Sequence, residues 1–273
     1  MKIVCIADCG VDRYLDAGID RAGGIGLNVA VHAQRLCAAG DTVTVIAPVG
    51  DDDGAVLVRS AIESAGLASC LVVRDGATPV QQIRHAPDGE RLFVSYDEGV
   101  LAGYRVGEPE LALIARADVV ITTAFGQGLD LFESVLAAPT RGIRAVDFTN
   151  LNDVGDPLAF VDRHAADLEI GLFGLRVEDG ELINGLEEIA SRAGRLFVVT
   201  LGPTGALALG GRSRVTCPAV PVEQVVDTTG AGDAFTAGFL CSYAARGGVA
   251  ASLARGVEVA TATLGHLGSF ELR

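Results

Sequence analysis

Long apolar runs are missing from this 273-residue chain, and no uncharged stretch is long enough to span a bilayer. The opening Met1-Lys2-Ile3-Val4-Cys5-Ile6-Ala7 ends at Asp8 and reads as a first strand. A secretory leader needs a longer apolar region and a small-residue cleavage site. Positive charge is also scarce. With 21 Lys and Arg against 35 Asp and Glu, the net charge is -14, which disfavours nucleic acid and anionic membranes as partners. The six cysteines (5, 9, 37, 70, 217 and 241) form no paired pattern, and Cys5-x3-Cys9 has no histidine nearby. Reduced thiols in a cytoplasmic protein are therefore expected, and zinc is not. Internal repeats, low-complexity tracts and linkers are absent too, so one domain over residues 1–273 is expected. Aromatics make up only 5% of a chain that is 49% hydrophobic. Many small aliphatics in alternating strand and helix patterns predict an α/β fold with a mostly parallel sheet covered by helices.

One more absence bears on function. The glycines of Ala22-Gly23-Gly24-Ile25-Gly26-Leu27-Asn28 do not follow the first strand as G-x-G-x-x-G, so dinucleotide binding is weakly supported. What is present lies near the C-terminal end: Val226-Asp227-Thr228-Thr229-Gly230-Ala231-Gly232-Asp233-Ala234-Phe235. Val220, Val222, Val225 and Val226 predict a small apolar strand before it. Phe235, Phe239, Leu240 and Tyr243 keep helical spacing behind it. The first N–H groups of such a helix lack internal partners and point outward with the positive end of its dipole. Gly230 and Gly232 let an anion approach the backbone closely. Asp233 would repel a resting phosphate, so it makes better sense as a proton acceptor facing a second reactant. An anion hole beside a base is the layout for moving a phosphoryl group onto a hydroxyl. The plainer alternative is a tight turn with an aspartate in a helical first turn.

That run resembles the D-T-x-G-A-G-D-x-F signature of the pfkB (ribokinase-like) carbohydrate kinases. Gly23-Gly24-x-Gly26-x-Asn28 resembles the same family's G-G-x-[GA]-x-N, Gly50-Asp51-Asp52-Asp53-Gly54 its G-D-D-x-x-G turn, and Thr200-Leu201-Gly202-Pro203-Thr204-Gly205 its T-L-G-x-x-G turn. The resemblance implies a ribokinase-like three-layer sandwich with a small β lid, formed by roughly 10–22 and 71–101, through which two subunits pair. It implies ATP with Mg2+, a K+ requirement in many members, and sugar binding by Asp12, Gly24, Asn28 and Asp233. Nucleotide contacts would fall on Thr200, Gly202, Gly205, Thr229, Gly230 and Gly232, and catalysis on Asp233 with the amides of Gly230, Ala231 and Gly232. Leu175-Arg176-Val177-Glu178 stands where members carry N-x-x-E, so Glu178 is the candidate metal residue despite Leu175. Asp227 would hold a monovalent cation or brace its loop. Ile25 replaces a polar residue common in members, which suggests an altered sugar preference.

A narrower resemblance, in Tyr96-Asp97-Glu98-Gly99-Val100-Leu101-Ala102 and Ala145-Val146-Asp147-Phe148-Thr149, points to the fructoselysine 6-kinase or fructosamine-kinase type. It implies a ketose with an amine-linked substituent, Asp97 or Glu98 near the amine, and the 6-hydroxyl as acceptor. A kinase for fructose, ribose, 2-keto-3-deoxygluconate or a nucleoside is the alternative; a non-catalytic sugar sensor would be expected to lose the base or the cradle. The three consecutive aspartates 51–53 read as a helix cap rather than a metal site. Strands are expected at 2–8, 42–47, 71–74, 79–85, 91–96, 118–122, 143–147, 168–173 and 196–200, with a hairpin turn at 86–90. Helices are expected at 54–65, 129–137, 157–165, 185–193 and 250–264.

Overall fold

The structure, a computed structural model, describes residues 1–85, 91–211 and 213–271; the expected hairpin turn 86–90 lies outside the described residues. The chain begins with β1 (Lys2–Ile6), β2 (Gly10–Tyr14), β3 (Ile19–Gly23) and α1 (Ile25–Leu36). Then come β4 (Thr42–Val49), α2 (Asp53–Ser64), β5 (Ala68–Val73), β6 (Val80–His85), β7 (Arg91–Asp97) and α3 (Glu108–Ile114). Strand and helix alternate through β8 (Val119–Thr123), α4 (Leu129–Leu136), β9 (Ile143–Asp147), α5 (Pro157–His164), β10 (Ile170–Gly174), α6 (Gly180–Ala193) and β11 (Leu196–Thr200). The chain closes with β12 (Ala206–Gly210), β13 (Ser213–Cys217), α7 (Ala231–Ala244) and α8 (Val249–Thr263).

The central sheet runs β13-β12-β11-β10-β9-β8-β1-β4-β5. Its strands pair in parallel from β5 to β11, and only β12 and β13 are antiparallel. Alternation within each strand sends side chains to two different cores. On β1, Ile3 and Cys5 join the core beneath α1, α2, α7 and α8, while Val4 and Ile6 join the one beneath α3 and α4. Beneath α5 and α6, Phe148 stacks on Phe173 at 5.0 Å, and Phe197 packs beside Phe173 at 5.2 Å. Each such ring contributes roughly 2–3 kcal/mol through apolar burial. The expected three layers are present.

The small sheet expected as a lid is separate from the central one and runs β3-β2-β6-β7, with β2 and β6 parallel neighbours. Residues 71–74 were expected in it, but β5 instead edges the central sheet, paired with β4. An edge strand with one half-covered face alternates just as a lid strand does, so pattern alone does not separate them. A second correction concerns the valines before the anion hole. Val220, Val222, Val225 and Val226 form no strand; they are exposed and irregular. Helix α6 starts a turn earlier than its apolar spacing suggested, and the short α3 gave no periodic signal.

The aspartate run acts as a cap. Asp52 accepts the N–H of Ala55 at 3.0 Å, and its carboxylate also takes the N–H (2.9 Å) and hydroxyl (2.6 Å) of Thr78. It therefore fixes the start of α2 and the approach to β6 together. Asp52→Ala is expected to lower unfolding free energy by about 1–2 kcal/mol, the cost of a lost cap with an orphaned neighbour. A urea midpoint matching wild type would contradict this.

Candidate active site

The N-terminus of α7 is set by Gly230, which caps it in the left-handed region (φ 76°). A Cβ there would stand 2.4 Å from the Cβ of Ser269, so only glycine fits. Gly230 and Gly232 both line a cleft of about 600 Å³ at the C-terminal ends of the parallel strands. Among the described residues, no acceptor takes either of their N–H groups. Ala231 departs from the expectation. Its N–H goes to the Thr228 carbonyl at 3.2 Å and it does not line the cleft, because the left-handed cap turns that amide back into the loop. Asp233, the third residue of α7, sits where the helix dipole favours negative charge.

Helix α1 meets α7 at its own N-terminus. Gly24 (φ 97°) caps it, and a Cβ at Gly24 would approach the Asp8 carbonyl to 2.7 Å. One turn on, Asn28 donates its Nδ2 to Asp233 Oδ2 at 2.8 Å. That bond orients the amide and leaves Asn28 Oδ1 buried without a protein partner among the described residues. Asp12 on β2 lies opposite, 7% exposed, and a Cβ on Gly23 would fall 2.2 Å from its Oδ2. Asp12, Gly24, Asn28, Asp233, Thr200, Thr229, Gly230 and Gly232 thus share one cleft, as the motifs implied.

Other expected residues lie elsewhere. Neither Asp97 nor Glu98 lines the cleft, and Asp97 accepts the N–H of Gly99 at 3.1 Å in a local turn. Gly202 and Gly205 shape the turn after β11; a Cβ on Gly205 would collide with the Cys217 carbonyl at 2.2 Å. Glu178 is exposed before α6 and off the cleft, while Leu175 is buried in the core where a polar residue was expected. Asp227, 1% exposed, accepts the N–H (2.8 Å) and hydroxyl (2.7 Å) of Thr229 and the N–H of Gly268 (2.8 Å). It braces the loop that presents the cap. No group of three His, Cys, Asp or Glu among the described residues is arranged to hold a metal ion.

The motifs missed the cleft's other acids. Asp8, just beyond β1, accepts the N–H of Ile25 at 3.0 Å and faces the Tyr96 hydroxyl at 3.4 Å. Asp147 ends β9 and accepts the N–H of Thr149 at 2.7 Å. With Asp12, Asp153 and Asp233 they give the cleft five carboxylates, and no Lys, Arg or His lines it among the described residues. Burial first, and the Asp233 charge second, pushes Asp147 up to about 7. Burial, with a smaller push from Asp233, raises Asp8 to about 6. The segment after Asp147 is strained: Thr149 (φ 53°) and Leu151 (φ 60°) lie in the left-handed region, at a cost of about 1–3 kcal/mol each. Their position at the end of a central parallel strand, where such sheets hold their ligands, was the available sequence signal.

Comparison with known proteins adds to this geometry. The model of the pfkB family carbohydrate kinases matches residues 16–135 and 159–271. Fructoselysine 6-kinase of Escherichia coli (strain K12) is 30% identical over 269 residues, spanning 98% of this chain and 99% of the relative. The fructosamine kinase FrlD of Bacillus subtilis (strain 168) is 26% identical over 277 residues, spanning 99% of this chain and 93% of the relative. Among solved structures, adenosine kinase from Sinorhizobium meliloti superposes with a TM-score of 0.81 at 22% identity, covering 100% of this chain and 96% of that one. At that identity the superposition speaks for the fold alone.

The raised carboxylates have a consequence for stability. Asp8 and Asp147 hold protons more tightly folded than unfolded, so the folded chain binds more protons between about pH 4 and pH 7. The stability they lend at acid pH is lost as pH rises through that window. In urea titrations of the ligand-free protein, Asp147→Asn is expected to flatten this loss. It should gain on the order of 1 kcal/mol over wild type at pH 8, where solvent at the cleft floor limits the effect. A gain equal at pH 4 and pH 8 would contradict the assignment.

Proposed function

The chain belongs to the pfkB family of carbohydrate kinases, and we propose that it transfers the γ-phosphoryl group of ATP to a hydroxyl of an amine-substituted ketose, with Asp233 as general base. Kinases of this family use ATP, generally with Mg2+. The observation that carries the proposal is the convergence of Asp233, the orphaned Oδ1 of Asn28 and the outward amides of Gly230 and Gly232 on one cleft. The acceptor hydroxyl approaches Asp233 with its neighbours held by Asp12, Asn28 and the backbone at Gly24. As its oxygen bonds to the γ-phosphorus and the bond to the leaving ADP breaks, its proton passes to the Asp233 carboxylate. The amides of Gly230 and Gly232 stabilise the charge on the group in transit. Asn28 holds the base in line throughout. Thr200 and Thr229 border the nucleotide side; Gly202 and Gly205 serve it only by shaping the turn. Glu178 and Asp227 do not fit a site for Mg2+ or K+, the first being exposed off the cleft and the second spent on protein donors.

The acceptor class is supported by charge. Five carboxylates in one cleft favour a cationic acceptor and oppose a phosphorylated or acidic one. We assign the amine to the cleft's own acids rather than to Asp97 and Glu98; an amine-linked acceptor is supported by the names of two relatives, a fructoselysine 6-kinase at 30% identity and a fructosamine kinase at 26%. The 6-hydroxyl is the position we assign.

Two measurements test the reading. Asp233→Asn should lower kcat roughly 10²–10⁴-fold with nucleotide affinity nearly kept, the range for a lost general base; near-normal turnover would remove Asp233 from that role. In ADP-release assays, fructoselysine should be preferred over fructose and ribose, and 2-keto-3-deoxygluconate should be rejected, with NMR placing the new phosphate on O6. Preference for an uncharged sugar would remove the amine, leaving the base assignment standing.

A further inference from the structure

Beyond Asp12, Asn28 and Asp233, the cleft continues between the lid and the ends of β8 and β9. Tyr96 on the lid strand β7 and Phe125 just after β8 meet edge to face, with ring centroids 5.7 Å apart. They form an apolar wall on one side of this arm. Beside it, with Asp153 against Gly126, runs the segment 149–153, built against its own backbone preference. Two of the three non-glycine residues with positive φ among the described residues are Thr149 and Leu151. The segment stays in place because three contacts fix it. Asp147 accepts the Thr149 N–H at 2.7 Å, the Thr149 carbonyl accepts the Gly174 N–H at 2.7 Å, and Leu151 is buried in the core beneath α5 and α6. So held, it sets Asn150, Asn152 and Asp153 along the rim of the cleft beside Gln127. Asp153 lies close against Gly126, whose N–H is 3.5 Å from Oδ2, long for a hydrogen bond. Strain kept at a cleft by surrounding contacts is an observation from which a functional role is reasonably inferred.

We propose that this arm is a second acceptor subsite, which receives the amine-linked substituent of the sugar. The substituent's methylene chain lies against Tyr96 and Phe125, and the ammonium of its zwitterionic far end meets Asp153, with Gln127 and Asn152 as hydrogen-bonding neighbours. This rests on the reading of the acceptor as an amine-substituted ketose and assigns the residues that read its far end. An exposed carboxylate gives a modest pairing energy, so the effect sits in specificity more than in rate.

The matched acceptors are fructoselysine and 1-amino-1-deoxyfructose, which share the amine and differ in the substituent. For Asp153→Asn, the ratio of kcat/KM for fructoselysine to that for 1-amino-1-deoxyfructose should fall about 5–10-fold, carried by KM, and Asp153→Glu should restore most of it. Gln127→Ala, at an exposed position, should lower the same ratio about 2–5-fold. An unchanged ratio, or a larger change in the KM of ATP than in that of fructoselysine, would overturn the subsite and leave the proposed reaction intact. A wild-type protein that phosphorylates fructose but neither amine would instead bring down the acceptor class, and this subsite with it.

Discussion

The hydrogen bond from Asn28 to Asp233 joins residues 205 positions apart and is the contact on which the site depends. It ties the N-terminus of α1 to that of α7, two helices packed on the same face of the sheet. Helix α7 carries both Asp233 and the outward amides of Gly230 and Gly232, and α1 contributes the Asn28 amide that fixes the direction of the Asp233 carboxylate. The close fit is supported from behind, where Gly238 and Gly256 let α7 and α8 approach until a Cβ on either would contact the other helix within about 3 Å. Asp227 secures the loop before the cap in the same way, by binding backbone on both sides of it.

The second constraint is charge. Five carboxylates around one cleft repel one another, and the chain tolerates this because several are committed to backbone N–H groups: Asp8 to Ile25 and Asp147 to Thr149. Those bonds favour the ionised form while burial opposes it, and for both residues burial prevails. The ligand-free protein thus carries electrostatic stress located at the cleft, and a cationic ligand relieves it more than a neutral one does. A net charge of -14 overall gives that local field no counterweight at long range.

What the sequence made legible was local. Glycines at Gly24 and Gly230 marked two helix starts, and both cap them with positive φ, 97° and 76°. The β-α rhythm predicted six of the nine central strands; β5 was expected in the lid, and β12 and β13 were not anticipated. What stayed hidden was set by distance. Asp8 lies in no motif and Asp147 in one that gave it no role, since the place of both in the cleft comes from strand order β9-β8-β1, which a linear pattern does not encode. Val220, Val222, Val225 and Val226 read as a strand but pair with no strand among the described residues, so pairing, not propensity, decides. Glu98 was expected near the amine from the resemblance of the Tyr96–Ala102 run; the chain turns into a 3₁₀ segment at Gly99, and Tyr96 lines the cleft while Glu98 does not.

The clasp at Asp8 carries a last consequence. The β2–β3 hairpin leaves the central sheet at Asp8 and gives way to α1 at Ile25, and these residues are bonded to each other, with the Gly26 N–H on the Asp8 carbonyl at 3.1 Å. The insertion therefore has a cinched neck whose width does not depend on how many residues loop out above it. Such a neck makes the hairpin a replaceable module. Its length and its outward residues are free to diverge while the floor of the cleft keeps its dimensions.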